Sequence, residues 1–207
     1  MQPGALERVL VDVDGTLCWN LPRVCEYLDT EYGVDIEPDA ISEWSYRFEE
    51  IDAEIGEIIE RMSTQRPAWF LSDLDPVPGA RAALDAIGAD HEVWITTHRP
   101  PETHDLTRAW LADNGFSYDR FVEDVPRNKA RVPGDALVDD YHGNVSDAVD
   151  AGMLGVLFDR PYTEPVPGDR SVRVSTWPDA LEALGVGAPS AGSAPANHSE
   201  TQNMSRR

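Results

Sequence analysis

The chain has 207 residues, 41% of them hydrophobic, with 38 Asp or Glu against 17 Lys or Arg and a formal net charge of −21. That length supports one sizeable core, or a core with a small appended domain. A field of this sign repels nucleic-acid backbone and anionic membrane, which argues against duplex nucleic acid and lipid surfaces as partners.

Arg8 to Val13 is a short β-branched run and reads as a buried strand that ends in the turn Asp14-Gly15-Thr16. Residues 20–32 carry Leu21, Val24, Tyr27 and Leu28 at helical spacing. Residues 38–71 are rich in Glu and aromatics, with Ile51, Ile55, Ile58, Ile59 and Met62 as a helical stripe and no strong strand signal. They read as a helical insertion. Pro76 to Ala80 is a break, followed by a helix to Ile87. His91 to Thr96 is a second strand, ending at Thr97, His98 and Arg99. Thr103 to Asn114 is a helix stopped by Gly115.

Phe121 to Glu123 is a short strand. Ala136 to Val138 is an apolar strand that runs into Asp139 and Asp140. Asn144 to Ala151 is a helix, Met153 to Phe158 a strand, Ser171 to Val174 an edge strand and Pro178 to Leu184 a last helix. From Gly185 onward the composition predicts a disordered tail. Alternating strands and helices predict an α/β fold with a parallel sheet and helices on both faces. The expected division is a core of 1–18 and 75–184, a helical cap of 19–74, and a tail of 185–207.

The acid is spread along the chain, as on the solvated surface of a salt-adapted protein. Cys18 and Cys25 suggest neither a disulfide framework nor a zinc site. No apolar stretch has the length of a signal peptide or a membrane span. A soluble cytoplasmic protein is the expectation. The oligomeric state is left open, a homodimer included.

Sites in such sheets lie at the carboxyl ends of strands. Three strand ends here carry polar reactive residues: Asp12 and Asp14, Thr97, and Asp139 with Asp140. Carboxylates packed together imply a cation, and hard oxygen ligands with room for water and phosphate suit Mg²⁺. Strand alternation places Asp12 and Asp14 on one side with Val13 opposite. One can attack as a nucleophile while the other carries a proton. Thr97 offers a hydroxyl and an N–H to phosphate. Lys129 is the only Lys beside 16 Arg. It supplies a compact ammonium that Arg cannot replace in a tight site. His98 is a candidate phosphate contact, Arg127 a candidate for steering an anionic substrate. His142 reads as a hydrogen-bonded loop residue rather than a catalyst, and Arg99 meets either the substrate or solvent, with solvent favoured.

These residues carry a resemblance. DVDGT after an apolar strand, Thr97 at the end of WITT, Lys129 and LVDD resemble, in order and spacing, the four motifs of the haloacid dehalogenase superfamily. The resemblance implies a Rossmann-like sheet, Asp12 as nucleophile, and phosphate-ester chemistry marked by Asp14. The helical segment sits where a type 1 cap is inserted in that superfamily. PVPGARAALDAI, EVWITTHRP, RAWLADNGF, NKARVPGDALVDDYHGNVSDA and VLFDRPY together look like the 5'(3')-deoxyribonucleotidase family over about residues 8–163.

Carried over by position, Asp14 is the acid–base residue, and Mg²⁺ is held by Asp12, the main-chain carbonyl of Asp14, and Asp140 in preference to Asp139. Thr97, His98 and Lys129 take the phosphate. His98 stands where the family tends to have Ser, and the turn after LVDD differs in composition. The family's cap holds the base in an aromatic pocket, for which Trp44, Tyr46, Phe48, Trp69 and Phe70 are candidates. The expected activity is a Mg²⁺-dependent phosphomonoesterase of nucleoside monophosphates using an aspartyl-phosphate. A phosphatase of sugar phosphates or other small esters, and a non-catalytic binding protein of the same fold, are the alternatives.

Overall fold

A computed structural model describes residues 6–187. Six parallel strands make the central sheet, in the order β5-β4-β1-β6-β7-β8. They are β1 (Arg8–Val11), β4 (Glu92–Ile95), β5 (Arg120–Phe121), β6 (Ala136–Asp139), β7 (Leu154–Phe158) and β8 (Ser171–Val174). β1 lies at the centre, pairing Val9 with both Val93 and Ala136. Val9, Leu10 and Val11 are fully buried, as a strand covered on both faces requires. The edge placement expected for β8 holds.

The helices are α1 (Leu21–Tyr32), α2 (Ile55–Gln65), α3 (Pro67–Leu71), α4 (Ala80–Ile87), α5 (His104–Asp113), α6 (His142–Asp150) and α7 (Trp177–Leu184). Their stops are chemical. Gly33 and Gly185 close α1 and α7 in the left-handed region, where a side chain would be strained. The α7 start is held by a reciprocal capping box of Thr176 and Asp179. Of the expected tail, residues 185–187 finish this cap, Val186 N–H donating to Leu181 O. The rest lies outside the described residues.

The segment between β1 and β4 differs from the all-helical expectation. It contains a two-stranded antiparallel hairpin, β2 (Arg47–Phe48) with β3 (Ala53–Glu54). Asp52 takes φ 50° in the intervening turn and pairs with Arg47. Ile51 therefore belongs to the turn, and the helical stripe starts at Ile55. Phe48, Ile55, Ile58 and Met62 are buried in the same cluster as α1 residues Val24 and Leu28.

Candidate active site

β1 ends at Val11, and Asp12 N–H still donates to Val138 O of β6 at 2.9 Å. The chain then turns. The Val13 carbonyl accepts from the N–H groups of Leu17 and Cys18. Strand alternation thus stops one residue before it could place Asp14, and the turn places it instead. Gly15 takes φ 69°, and a Cβ there would collide with the Asp140 carboxylate. Glycine is needed for both the conformation and the close approach. Arg160 Nε donates to the Gly15 carbonyl at 2.7 Å, tying the turn to the loop after β7.

The two Asp side chains take different partners. Asp12 Oδ1 accepts from Lys129 Nζ at 2.6 Å. Asp14 faces Arg99, whose Nε and Nη2 donate to Oδ2 and Oδ1, each at 2.8 Å. Arg99 is therefore buried and paired, not solvated. Burial pushes Asp14 up, but the adjacent guanidinium outweighs it and holds the carboxyl below the usual range. Burial pushes Asp12 up to about 7, with the Asp139 and Asp14 charges adding and Lys129 opposing.

Lys129 opens a single 3₁₀ turn, Lys129–Arg131, whose start is fixed by the Asn128 side chain accepting from Ala130 N–H. Its ammonium reaches Asp139 Oδ2 at 2.7 Å as well as Asp12. Asp139 is fully buried and also accepts from Tyr141 N–H and Asn144 Nδ2. Asp140 accepts from the Tyr162 hydroxyl. Burial, then the charges of Asp139 and Asp12, push Asp140 well above the carboxylate range.

Ligand atoms of Asp12, Asp139 and Asp140 lie within 4.8 Å of one another. Three carboxyl groups lie beside one ammonium there, and hard oxygen donors so grouped could hold a divalent cation such as Mg²⁺. The Asp14 carboxylate is outside this cluster.

Thr97 lies just beyond β4, 3% exposed, and its hydroxyl oxygen accepts from Arg99 N–H at 3.1 Å. That leaves the hydroxyl proton free for a ligand. His98 lines the same cavity, but its Nε2 donates to the Pro126 carbonyl at 3.1 Å. Burial and the nearby Lys129 charge lower its pKa, which keeps the ring neutral. His142 is the first residue of α6 and not part of a loop, and its Nδ1 accepts from Glu164 N–H.

Asp12, Asp14, Thr97, Lys129, Asp139 and Asp140 form the floor of a cavity of about 460 Å³. Its other wall comes from the segment before β4: Leu21, Trp44, Ile55, Ile59 and Phe70. Of the five candidate aromatics only Trp44 and Phe70 line it. Tyr46 packs on Phe48, and Trp69 lies against Tyr27 and Arg23. The sheet side adds two aromatics missing from that set. Trp44 stacks on Tyr141 with centroids 4.1 Å apart and meets Tyr162 edge-on. Tyr162 lies in the FDRPY piece, where its place after a sheet strand was the available signal. Asn20 and Arg127 also reach the cavity.

The family model "5' nucleotidase, deoxy (Pyrimidine), cytosolic type C protein" matches residues 7–188. The Bacillus subtilis (strain 168) protein named "Putative nucleotidase YqfW" is 24% identical over 184 residues, covering 84% of this chain and 92% of that one. Among solved structures, the haloacid dehalogenase-like hydrolase SP0104 of Streptococcus pneumoniae aligns with a TM-score of 0.60 at 15% identity, over 86% of this chain and 98% of that one. The "putative HAD-hydrolase YfnB" of Bacillus subtilis, described as bound to magnesium, aligns with a TM-score of 0.62 at 15% identity, over 88% and 100%. These two likenesses show the fold. The chain belongs to the 5' nucleotidase, deoxy (pyrimidine), cytosolic type C family, and is a haloacid dehalogenase-like hydrolase acting on phosphate esters.

Proposed function

We propose that the protein is a Mg²⁺-dependent phosphomonoesterase of nucleoside monophosphates, with Asp12 as nucleophile, Asp14 as proton carrier, and residues 19–74 acting as a cap over the site. The observation that carries this reading is the pairing of Asp12 with Lys129 on the floor of a cavity whose opposite wall is apolar and aromatic. A phosphate fits the floor and a flat apolar group fits the wall.

Asp12, Asp140 and the main-chain carbonyl of Asp14 would hold the metal. Bound there, Mg²⁺ supplies positive charge to the phosphoryl oxygens and favours ionised Asp12. Lys129 orients the Asp12 carboxylate and meets charge developing on the transferring group. The Thr97 hydroxyl donates to a phosphate oxygen. In the first half-reaction the bond from phosphorus to the ester oxygen breaks, a bond from phosphorus to Asp12 forms, and the leaving oxygen takes a proton from Asp14, which must hold that proton against the pull of Arg99. In the second, water attacks phosphorus, Asp12 is released, and the proton lost by water returns to Asp14.

The His98 ring is held by Pro126, so its part is to shape the loop around the phosphate. Asp139 serves Lys129 and the α6 start more than the metal, given its three protein donors. No helix among the described residues is long and apolar enough to cross a membrane. A soluble enzyme of the cytoplasm acting on a small phosphorylated substrate is in keeping with that observation and with the family match.

The test is phosphate release from a panel of nucleoside 5'- and 3'-monophosphates, deoxy pyrimidine members included, beside sugar phosphates, with and without Mg²⁺ and across salt concentration. Higher kcat/KM for nucleotides supports the reading. Equal or higher values for sugar phosphates contradict it.

A further inference from the structure

Arg99 is only 6% exposed, and it meets no carboxylate other than Asp14 within ion-pair distance among the described residues. Its two donors form a planar fork with the two Asp14 oxygens, a geometry that fixes a carboxylate in rotation as well as position. The fork is itself held from behind. Nη1 donates to Thr107 Oγ1 of α5 at 3.1 Å, and Nη2 reaches Cys18 Sγ at 3.4 Å. The Arg99 carbonyl accepts from His104 Nε2 at 3.1 Å, and its N–H holds the Thr97 hydroxyl oxygen. One residue thus joins the phosphate-binding loop to the turn after β1.

The load on Asp14 is uneven. Oδ1 accepts from Arg99 Nη2, Asn20 Nδ2 at 3.3 Å and Cys18 Sγ at 3.5 Å. Oδ2 accepts from Arg99 Nε alone. A carboxylate oxygen has two lone pairs, so Oδ2 keeps one for a reacting partner while Oδ1 is saturated.

We propose that Arg99 is a positioning residue for Asp14, fixing its plane so that Oδ2 is the atom that exchanges a proton with the ester oxygen and then with water. The proposal rests on the acid–base role given to Asp14 above. Its signature is dependence on the leaving group. A nucleoside leaves as a strongly basic alkoxide that needs the proton, whereas p-nitrophenol leaves readily without one. A residue acting only through Asp14 also becomes dispensable once Asp14 is gone.

The experiment compares kcat and KM of wild type, Asp14→Asn, Arg99→Gln, Arg99→Lys and the Asp14→Asn/Arg99→Gln double variant on a nucleoside 5'-monophosphate and on p-nitrophenyl phosphate, in the presence of Mg²⁺. Arg99→Gln is expected to lower kcat on the nucleotide about 100-fold. The loss on the aryl ester is expected to be much smaller and KM to change little. The double variant should match Asp14→Asn alone. Arg99→Lys keeps the buried charge without the fork. It should show the same preference with a smaller loss, and it carries the comparison if Arg99→Gln does not fold.

Equal losses on both esters, a full additional loss in the double variant, or wild-type rates in both Arg99 variants would overturn the proposal while leaving the acid–base reading intact. Unaltered nucleotide turnover by Asp14→Asn, or no turnover of either ester by wild type, would overturn that reading and the proposal with it.

Discussion

Lys129 Nζ donates to Asp12 Oδ1 at 2.6 Å, joining residues 117 positions apart. The ammonium is 1% exposed and shares itself with Asp139 at 2.7 Å. Lys129→Met leaves two buried carboxylates without their cation. The expected cost is about 3 to 5 kcal/mol of stability, read from chemical denaturation in the absence of Mg²⁺. Lys129→Arg keeps the charge but puts a wider fork into a filled site. It should lower kcat by about 10² to 10³.

Burial pushes the Asp12 carboxyl up to about 7, from an ordinary carboxylate value of 3.8. Between those values the folded chain holds a proton that the unfolded chain has lost, so this group's contribution to stability falls as pH rises through the window. The Lys129 attraction is already contained in that net upward shift. Asp12→Asn mimics the protonated form. Without Mg²⁺, the variant and wild type should be similarly stable near pH 4, with the variant more stable at pH 8 by an amount on the order of a few kcal/mol. Thermal unfolding across pH checks this. Parallel curves for the two proteins would contradict it. Asp14, held low by Arg99, works in the opposite sense: its contribution is present above the ordinary carboxylate range and is lost in stronger acid.

Gly15→Ala places a methyl group against Asp140 and near the Tyr162 hydroxyl, on a backbone with φ 69°. Strain alone costs about 1 to 2 kcal/mol. The displaced Asp140 should weaken Mg²⁺ binding by about 10- to 100-fold, the range seen when groups around a metal site are disturbed. Titration calorimetry with Mg²⁺ reads this without turnover. Tyr162→Phe, which removes the donor to Asp140 and keeps the ring, should weaken Mg²⁺ in the same direction.

Trp44 is 47% exposed and forms one wall of the cavity against Tyr141. If the substrate's flat group lies along that wall, Trp44→Ala should raise KM for nucleotides by about 10-fold and leave KM for a small alkyl phosphate unchanged. An equal rise for both would place the loss in the phosphate site.

Asp12, Asp14, Thr97, Lys129, Asp139 and Asp140 were legible because each sits at or near the end of a short apolar strand, or is the sole Lys of an Arg-rich chain. The sheet was legible for the same reason: Val9 to Val11 and Ala136 to Val138 are uninterrupted apolar runs. Arg99 was not. An Arg in a loop is solvated by default, and its burial depends on Asp14, 85 positions away, and on Thr107 of a later helix. The β2–β3 hairpin was hidden because strands of two residues have no periodicity to read. Its turn uses Asp52 with positive φ where glycine would have signalled it. Tyr141 and Tyr162 carry no periodic signal in the sequence, because each becomes a cavity wall only when its loop folds against Trp44. The wall is in fact shared between the segment before β4 and the loops after β6 and β7.

The proposed mechanism requires Asp12 to become phosphorylated during turnover. The direct measurement is an acid quench of wild-type protein turning over a phosphate-labelled nucleoside monophosphate with Mg²⁺, followed by peptide mapping. Label bound to the peptide containing Asp12, released by hydroxylamine as an acyl phosphate should be, and absent from Asp12→Asn, is the predicted result. Turnover by Asp12→Asn at the wild-type rate, with no label on either protein, would contradict it.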